Sequence, residues 1–249
     1  MIVFMEKVIK LHKKEGETPL ECMNRFREEH SEYKNLPMTY AGRLDPLACG
    51  VLLVLVDEKV HEKEAYCGCD KEYYVEALLG FETDTYDVLG IPHKWQVASG
   101  KQQGCLAKLS EILLGLIGKQ KQLYPPYSSR TVEGKPLWQW AREGKLDEIE
   151  IPTREVEIYD IFDIYEKEIA QEEVLARIDE ITDLVQGDFR QDEIKKGWHA
   201  SEVEGGVLVS FRVKCSSGTY IRTLVHNLGQ ALGTGACIYR LERTKIVTE

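Results

Sequence analysis

One aspartate lies in a segment that would hold its side chain in a fixed position. Asp45 belongs to the segment 42–50 (GRLDPLACG), which has a glycine at each end and is followed by the apolar run 51–56. The proline directly after the aspartate and the buried strand after the segment restrict the backbone, so the pattern predicts a carboxylate on a rigid loop. Such a group could act as a nucleophile or a general base. A turn aspartate that caps its own backbone fits the same residues, and the segment alone leaves both interpretations open.

The second candidate is an arginine at a position where a helix disfavours a cation. After the segment 216–219 (SSGT) the apolar residues change from a period of two to a period of 3.6, which places Arg222 in the first turn of a predicted helix. The N-terminus of a helix carries a partial positive charge, so a carboxylate partner would explain the cation there. An arginine on the surface is the alternative that this pattern leaves open.

Two other polar segments have no pattern that singles out a chemistry. The segment 83–87 (TDTYD) follows a predicted strand, and we interpret it as an ordinary turn rich in Asp and Thr. The segment 124–130 (YPPYSSR) combines tyrosines, prolines and an arginine, which could stack on bases and contact a phosphate. Ordinary structured loops have a similar composition, so both interpretations of this segment stay open.

The sequence lacks the common motifs for cofactors and metals. It has no phosphate-binding loop, no dinucleotide fingerprint, no His-Glu-x-x-His pair and no serine nucleophile elbow. Cys67 and Cys69 are separated by one residue, which is short for a zinc knuckle, and no second pair follows. We therefore expect neither a cofactor nor a metal, and chemistry carried out by side chains alone.

The net charge of −10 is unevenly distributed over the 249 residues. Residues 147–193 contain 17 acidic and 4 basic side chains, whereas the rest of the chain contains 28 basic and 25 acidic ones. A mildly basic body is compatible with nucleic acid, and we expect the acidic segment to face away from the nucleic acid or to limit where it can approach. The apolar run 51–56 is far shorter than the roughly 20 residues of a membrane helix, so no membrane contact is expected. Seven cysteines without regular spacing, in a chain with no evident signal peptide, indicate reduced thiols and a cytoplasmic location.

The hydrophobic pattern predicts the elements that must position these residues. Thr18 and Glu21 match a capping box that begins a helix, with Leu20, Met23 and either Phe26 or Arg27 on one side. The other predicted elements are a buried strand at 51–56, alternating strands at 73–79, 156–164 and 207–213, and helices at about 102–117, 136–144, 174–185 and 221–228. Strands and helices that do not alternate steadily indicate an α+β fold with a mixed, mainly antiparallel sheet flanked by helices.

Seven segments in the same order resemble motifs of the TruB family of tRNA pseudouridine synthases. The motif Gly-x-Leu-Asp-Pro-x-Ala-x-Gly is matched completely at 42–50, and Cys-Ser-x-Gly-Thr-Tyr-Ile-Arg-Thr is intact at 215–223. The other partial or complete matches lie at 13–19, 71–73, 79–87, 125–129 and 134–144. The resemblance covers most of the chain. It implies the pseudouridine synthase fold in a single catalytic domain over residues 1–249, with an acidic insertion at about 165–205.

The resemblance implies isomerisation of uridine to pseudouridine at position 55, in the T-loop of tRNA. Asp45 would start the cleavage of the glycosidic bond, and Arg222 would pair with its carboxylate. Tyr73 would stack on the target base, Tyr220 would line the floor of the pocket, and Leu241 matches a pocket leucine. The base must be flipped into the site, which costs a few kcal/mol of unstacking. The T-arm of tRNA is thus the implied partner, and no obligatory protein partner is expected.

Four departures from the family pattern leave alternatives open. Tyr40 stands where bacterial members usually have a histidine associated with extruding the base, and Arg43 is reminiscent of the RluA and RsuA pseudouridine synthases. We assign both residues to substrate binding. Asn227 replaces an aspartate, and the chain ends soon after the last motif, so we expect the C-terminal PUA domain of many members to be absent. The alternatives are a non-catalytic tRNA-binding or tRNA-folding module, or a pseudouridine synthase that acts on another RNA.

Overall fold

A computed structural model describes residues 6–94, 108–201 and 205–248 of the chain. The strands in these ranges are β1 Val8–Lys13, β2 Met38–Ala41, β3 Cys49–Val56, β4 Asp70–Leu79, β5 Phe81–Thr83, β6 Pro92–Lys94, β7 Gly118–Leu123, β8 Thr131–Val132, β9 Lys135–Pro136, β10 Thr153–Ile169, β11 Gly206–Cys215 and β12 Ala236–Val247. The α-helices are α1 Pro19–Glu29, α2 Lys63–Cys67, α3 Leu109–Gly115, α4 Leu137–Arg142, α5 Gln171–Leu184, α6 Gln191–Ala200 and α7 Ile221–Leu232. Short 3-10 helices lie at Ser31–Tyr33, Asp57–Glu62 and Leu146–Glu148.

Eight of the described strands form one mixed sheet. Their order is β1-β3-β12-β4-β11-β10-β7, and β2 is paired to β3. The pair β3–β12 is parallel, whereas the other pairs of this sheet are antiparallel. The predicted α+β class and the mixed, mainly antiparallel sheet are therefore confirmed.

The alternation of apolar residues explains the pairing of β4 with β11 near the middle of the sheet. Phe211 pairs with Val75 and Val213 pairs with Tyr73, and all four side chains are buried in the main core. Successive side chains of a strand point to opposite faces, so this register places the apolar faces of both strands on the same side. The predicted strands at 73–79 and 207–213 are confirmed.

The start of α1 follows the predicted capping box, but its buried side differs in one residue. The Thr18 hydroxyl accepts a hydrogen bond from the Glu21 amide (3.2 Å), and the Glu21 carboxylate accepts one from the Thr18 amide (2.6 Å). Met23 and Phe26 are buried, but Leu20 is 53% exposed, so its assignment to that side is wrong. The buried residues of α1 are Pro19, Cys22, Met23 and Phe26, which recur every three or four residues and bypass Leu20. The packing of Cys22, Met23 and Phe26 against β1 and β3 selects this side of the helix.

The acidic segment 147–193 is built into the fold rather than appended to it. Strand β10 pairs with both β7 and β11, and helices α5 and α6 follow it. Ile178, Ile181, Ile194 and Trp198 are fully buried in the main core. Removing the two helices would therefore expose that core.

Other predicted helices have small differences in their ends. The helix predicted at 136–144 is α4, and the one predicted at 221–228 is α7, which continues to Leu232. Of the helix predicted at about 102–117, the structure describes α3, and residues 102–107 lie outside the described residues. None of the described helices is both long enough and apolar enough to span a membrane.

Candidate active site

A buried lysine holds one side of the loop that carries Asp45. The Lys13 ammonium donates hydrogen bonds to the carbonyl oxygens of Lys14 (3.0 Å), Pro46 (3.3 Å) and Ala48. The lysine is fully buried, and this burial lowers the pKa of its ammonium to about 8. The Ala48 amide in turn donates to the Asp45 carbonyl (3.1 Å), which closes a turn around the aspartate. The rigidity predicted for this loop therefore comes from a side chain of β1 as well as from the proline.

A buried arginine of β12 holds the two ends of the same loop. Arg243 donates from Nε to the Val51 carbonyl (2.7 Å) and from Nη2 to the Gly42 carbonyl (3.0 Å). Gly50 has a φ of +102°, and a Cβ there would lie 2.3 Å from the Arg243 carbonyl oxygen. Glycine is required at this position because both the backbone conformation and the close contact exclude a side chain.

Arg222 makes an ion pair with Asp45 inside the protein. Its Nε lies 2.8 Å from Asp45 Oδ2, while Nη1 donates to the Thr85 carbonyl (2.8 Å) and Nη2 donates to the Tyr127 carbonyl (3.1 Å). Arg222 is buried, whereas 35% of the Asp45 side chain is exposed. Burial works against the guanidinium charge, but Asp45 and then Asp87 outweigh it and keep the pKa of Arg222 above its usual value. The arginine is thus fixed by three partners, and the carboxylate remains accessible.

The helix that carries Arg222 begins where a side chain of β7 holds the backbone. The Gln122 amide group accepts a hydrogen bond from the Tyr220 N–H (2.8 Å) and donates one to the Tyr220 carbonyl (3.0 Å). Tyr220 therefore stays extended, and α7 starts at the next residue. This confirms the prediction that Arg222 lies in the first turn of a helix with a carboxylate partner.

Asp87 is a second buried carboxyl beside Arg222, and the sequence interpretation of 83–87 as an ordinary turn missed it. Asp87 Oδ1 accepts hydrogen bonds from the Thr85 hydroxyl (2.8 Å) and the Leu89 amide (3.0 Å), and Oδ2 lies 3.9 Å from Arg222 Nε. Burial raises the pKa of Asp87 to about 6 in spite of the nearby guanidinium. The sequence did contain one indication that Asp87 matters, because the segment 79–87, which resembles a family motif, ends at this residue.

The predicted site residues all line one cavity of about 950 Å³, around the Asp45 carboxylate. These residues are Tyr40, Arg43, Asp45, Tyr73, Tyr220, Arg222 and Leu241. Tyr73 and Leu241 project from the neighbouring strands β4 and β12. Burial raises the pKa values of the Tyr73 and Tyr220 hydroxyls above the usual range, so both stay protonated at neutral pH. The roles of these residues in substrate binding stay predictions.

Tyr40 and Arg43 lie at a more exposed part of the cavity. Arg43 is exposed, and its Nη2 lies 3.4 Å from the Tyr40 hydroxyl oxygen. The Lys63 ammonium lies 5.3 Å from the centre of the Tyr40 ring. Two cations next to an aromatic ring form a surface to which a nucleotide could bind by stacking and by phosphate contacts.

Two further segments contribute cavity residues that the sequence interpretation did not assign to the site. The first includes Tyr127, Trp138 and Arg142, and the second is the connection between α5 and α6, with Phe189 and Arg190. The second segment is part of the acidic region, and it lies at the cavity rather than facing away from it. The reason is the packing of α5 and α6 against the core, which brings the connection to the cavity. This position fits the other expectation, that the region limits where nucleic acid can approach.

The described residues contain no group of three or more His, Cys, Asp or Glu side chains arranged to hold a metal ion. Cys67 contributes to the cavity wall beside Lys71, whose ammonium donates to the Cys67 carbonyl (2.7 Å). Burial and then the Arg243 charge lower the pKa of Lys71. These groups hold the backbone around residue 67 rather than forming a ligand set.

One family model matches more than half of this chain. Residues 32–179 match the TruB family pseudouridylate synthase (N terminal domain). Among curated relatives, the tRNA pseudouridine synthase B of Thermotoga maritima is 28% identical over 96% of this chain and 62% of its own length. The enzyme of Idiomarina loihiensis is 31% identical over 96% of this chain and 62% of its own length. The enzyme of a Nostoc species is 30% identical over 96% of this chain and 67% of its own length. The chain thus spans about three fifths to two thirds of the length of these relatives.

Solved structures share the fold at lower sequence identity. A chain in the crystal structure of a Cbf5-Nop10-Gar1 complex matches with a TM-score of 0.54 and 22% identity, over 96% of this chain and 48% of that chain. A chain in the structure of an H/ACA RNP bound to a substrate RNA containing 2′-deoxyuridine matches with a TM-score of 0.51 and 22% identity. The match covers 96% of this chain and 47% of that chain. These matches support the fold of the described sheet and helices.

Proposed function

Because the chain belongs to the TruB family of pseudouridylate synthases, we propose that it isomerises uridine to pseudouridine at position 55 in the T-loop of tRNA. The observation that carries this proposal is the Asp45–Arg222 pair at the cavity. A buried guanidinium holds one carboxylate oxygen at 2.8 Å, and about a third of the Asp45 side chain is open to a ligand. The cytoplasm, where tRNA is available, is the compartment that this proposal requires.

The reaction exchanges one bond to the ribose for another. The bond between uracil N1 and ribose C1′ breaks, the base rotates, and a bond between C5 and C1′ forms while the hydrogen on C5 leaves and N1 gains a proton. The product is an isomer of the substrate, so no oxidant, reductant or second substrate is consumed. In this proposal, the Asp45 carboxylate starts the cleavage of the glycosidic bond. Arg222 fixes the carboxylate through the hydrogen bond that its Nε donates to Asp45 Oδ2.

The walls of the cavity suit a flipped pyrimidine. Tyr73 offers an aromatic face for stacking, and Tyr220 and Leu241 form apolar surface around the base. Tyr40 and Arg43 lie at the exposed part, where they would contact the nucleotide as it leaves the RNA stack. Aromatic stacking of about 1–3 kcal/mol per base would offset a large part of the unstacking cost.

We also propose that residues 165–205 are an insertion within one catalytic domain. Ile169 pairs with Gly206 at the adjoining ends of β10 and β11, so the chain leaves the sheet and returns to the same place. Antiparallel neighbours can be joined by a two-residue hairpin, and the two helices between them are therefore an addition to the sheet.

The proposed activity is tested by release of tritium from T-arm RNA that contains [5-³H]uridine. We expect the wild-type protein to release tritium from the T-loop position and Asp45→Asn to release none, while both bind the RNA with similar affinity. An RNA with cytidine at the target position is the matched substrate control. Equal release by wild type and Asp45→Asn would contradict the role of Asp45.

Two other outcomes would favour the alternatives. Binding of T-arm RNA by the wild-type protein without tritium release would favour a tRNA-binding or tRNA-folding module. Release from another RNA but not from the T-arm would favour a pseudouridine synthase with a different substrate. Mapping the modified position in total RNA separates these cases from the proposed one.

A further inference from the structure

The connection between α5 and α6 has a fixed conformation next to the cavity. The Gln191 side chain donates to the carbonyls of Val185 (3.1 Å) and Gly187 (2.7 Å) and accepts from the Phe189 amide (3.0 Å). Arg190 has a φ of +60°, which arginine rarely adopts, and its carbonyl accepts the Ile194 amide (2.9 Å) in the first turn of α6. A strained residue persists only where its surroundings hold it, so the contacts of its side chain are informative.

The Arg190 side chain connects two segments that are distant in the sequence. Its Nη1 lies 2.7 Å from Asp84 Oδ2, and its guanidinium carbon lies 4.7 Å from the centre of the Tyr127 ring. The arginine side chain is 14% exposed, so solvent screens this ion pair less than a surface pair. The other oxygen of Asp84 accepts the Ile91 amide (2.8 Å), which fixes the carboxylate within its own turn.

The same two segments supply the backbone oxygens that hold Arg222. Thr85, next to Asp84, accepts from Nη1 of Arg222, and Tyr127 accepts from Nη2. We propose that Arg190 is a positioning residue for the active site, because it holds the two segments whose carbonyls orient Arg222 and thereby Asp45. The effect of Arg190 on turnover rests on the proposed function, whereas its effect on the orientation of Arg222 does not.

The position of Arg190 is itself fixed by the core. On α6, Trp198 is fully buried, and its indole N–H donates to the carbonyls of Val88 (3.2 Å) and Gly90 (3.1 Å). Helix α6 is therefore attached to the turn that contains Asp84 and Thr85. The acidic segment thus contributes a specific element to the active site, although none of the matched family motifs lies in its two helices.

The first test measures the orientation of Arg222 without any substrate. In ¹⁵N-labelled protein, the Arg222 Nε–H signal reports the 2.8 Å bond to Asp45, and an Arg222→Lys variant identifies the signal by its loss. We expect Arg190→Gln to shift this signal and to speed its exchange with solvent. Lys195→Gln is the matched control, because it removes the same charge and an ion pair (2.6 Å, with Asp183) from α6, directly after the connection and outside the cavity. An unchanged Arg222 signal in Arg190→Gln would overturn the proposal.

The second test measures turnover under single-turnover conditions with T-arm RNA. We expect the rate constant of Arg190→Gln to fall about 10- to 100-fold, since a misplacement of about 1 Å can cost about 100-fold. Arg190→Lys should recover part of the rate because a cation again faces Asp84, and RNA affinity should stay unchanged in both variants. Adding Asp84→Asn to Arg190→Gln should cost little more than either change alone, because both remove the same interaction.

The outcomes separate the two proposals. A wild-type protein without turnover would refute the proposed function, while the Arg222 signal would still decide the role of Arg190. Turnover that is equal in wild type and Arg190→Gln would overturn the positioning role and leave the proposed function standing. A loss of the same size in Lys195→Gln would also overturn it, because the effect would then be a general loss of stability.

Discussion

Replacing Asp87 by asparagine should remove a loss of stability that the wild-type protein undergoes as the pH rises from acid to neutral. Relative to wild type, the variant should therefore become more stable with rising pH, although the residue lies in the candidate active site. Asp87 is buried beside Arg222, and this burial raises its pKa from an ordinary 3.8 to about 6. Asp87→Asn keeps an oxygen that can accept the bonds from Thr85 and Leu89, which Oδ1 accepts in the wild type. The substitution therefore removes the buried negative charge and changes little else.

The magnitude follows from the difference between the two pKa values. A difference of about 2 pKa units corresponds to about 3 kcal/mol, because one unit is about 1.36 kcal/mol. Between about pH 4 and pH 6 the folded protein holds a proton on Asp87 that the unfolded chain has lost. The wild-type free energy of unfolding therefore falls by about 3 kcal/mol through this group as the pH rises across that window, and it is constant above it. The asparagine variant has no such loss.

The assay is urea unfolding of both proteins at several values from pH 4 to pH 8. The unfolding free energy of Asp87→Asn minus that of wild type should rise by about 3 kcal/mol between pH 4 and pH 7. Any constant cost of the amide cancels in this comparison. Asp188→Asn is the control: a hydrogen bond from Arg142 lowers the pKa of exposed Asp188 below its ordinary 3.8, so its effect on stability changes mainly below about pH 4. Its difference from wild type should therefore stay nearly constant over the assay range. A difference for Asp87→Asn that does not vary with pH would refute the reasoning.

Three other predictions follow from the same contacts. Arg222→Lys should lower the single-turnover rate about 100-fold or more, because an ammonium lacks the fork geometry with which three separate guanidinium nitrogens reach acceptors on three segments; a rate near wild type would contradict this. Gly50→Ala should lower the free energy of unfolding by about 3 kcal/mol or more. Gly80→Ala should lower it by only about 1–2 kcal/mol, because φ is similarly positive at Gly80 but the added Cβ meets open space. Thermal unfolding of both variants is the measurement, and equal losses of stability in the two would refute the steric argument. Tyr73→Phe should retain turnover and Tyr73→Leu should lose about tenfold or more, as expected for stacking; equal rates in the two variants would exclude it.

The local elements were predictable because the signals that form them lie within a few residues. The capping box at Thr18, the alternation of β4 and the change of period before Arg222 each involve neighbours in the sequence. Such patterns report which side of an element is apolar, and burial of that side is the dominant contribution to folding. Leu20 shows the limit of this inference, because the start of α1 was predicted correctly and the packing against the strands still decided which of its positions are buried.

The partners of the site residues were less accessible to sequence reasoning. A carboxylate near Arg222 was expected, but the pattern did not indicate that Asp87 would be buried beside it or that two carbonyls would hold its other nitrogens. An Asp-rich turn on the surface and one in a core have the same composition. Only the surrounding chain decides the burial, and burial is the main cause of the raised pKa of Asp87.

The sequence by itself determined several of the elements, among them α1, β4, β11 and α7, the α+β class and the two residues, Asp45 and Arg222, that meet in the cavity. The tertiary structure alone decided what holds them: Lys13 and Arg243 under the loop, Asp87 beside the guanidinium, and Arg190 across from Asp84. The physical reason is the range of the interactions. Periodicity and capping act between neighbours, whereas an ion pair such as Arg190–Asp84 joins residues 106 positions apart, and the packing of the sheet and helices brings them together.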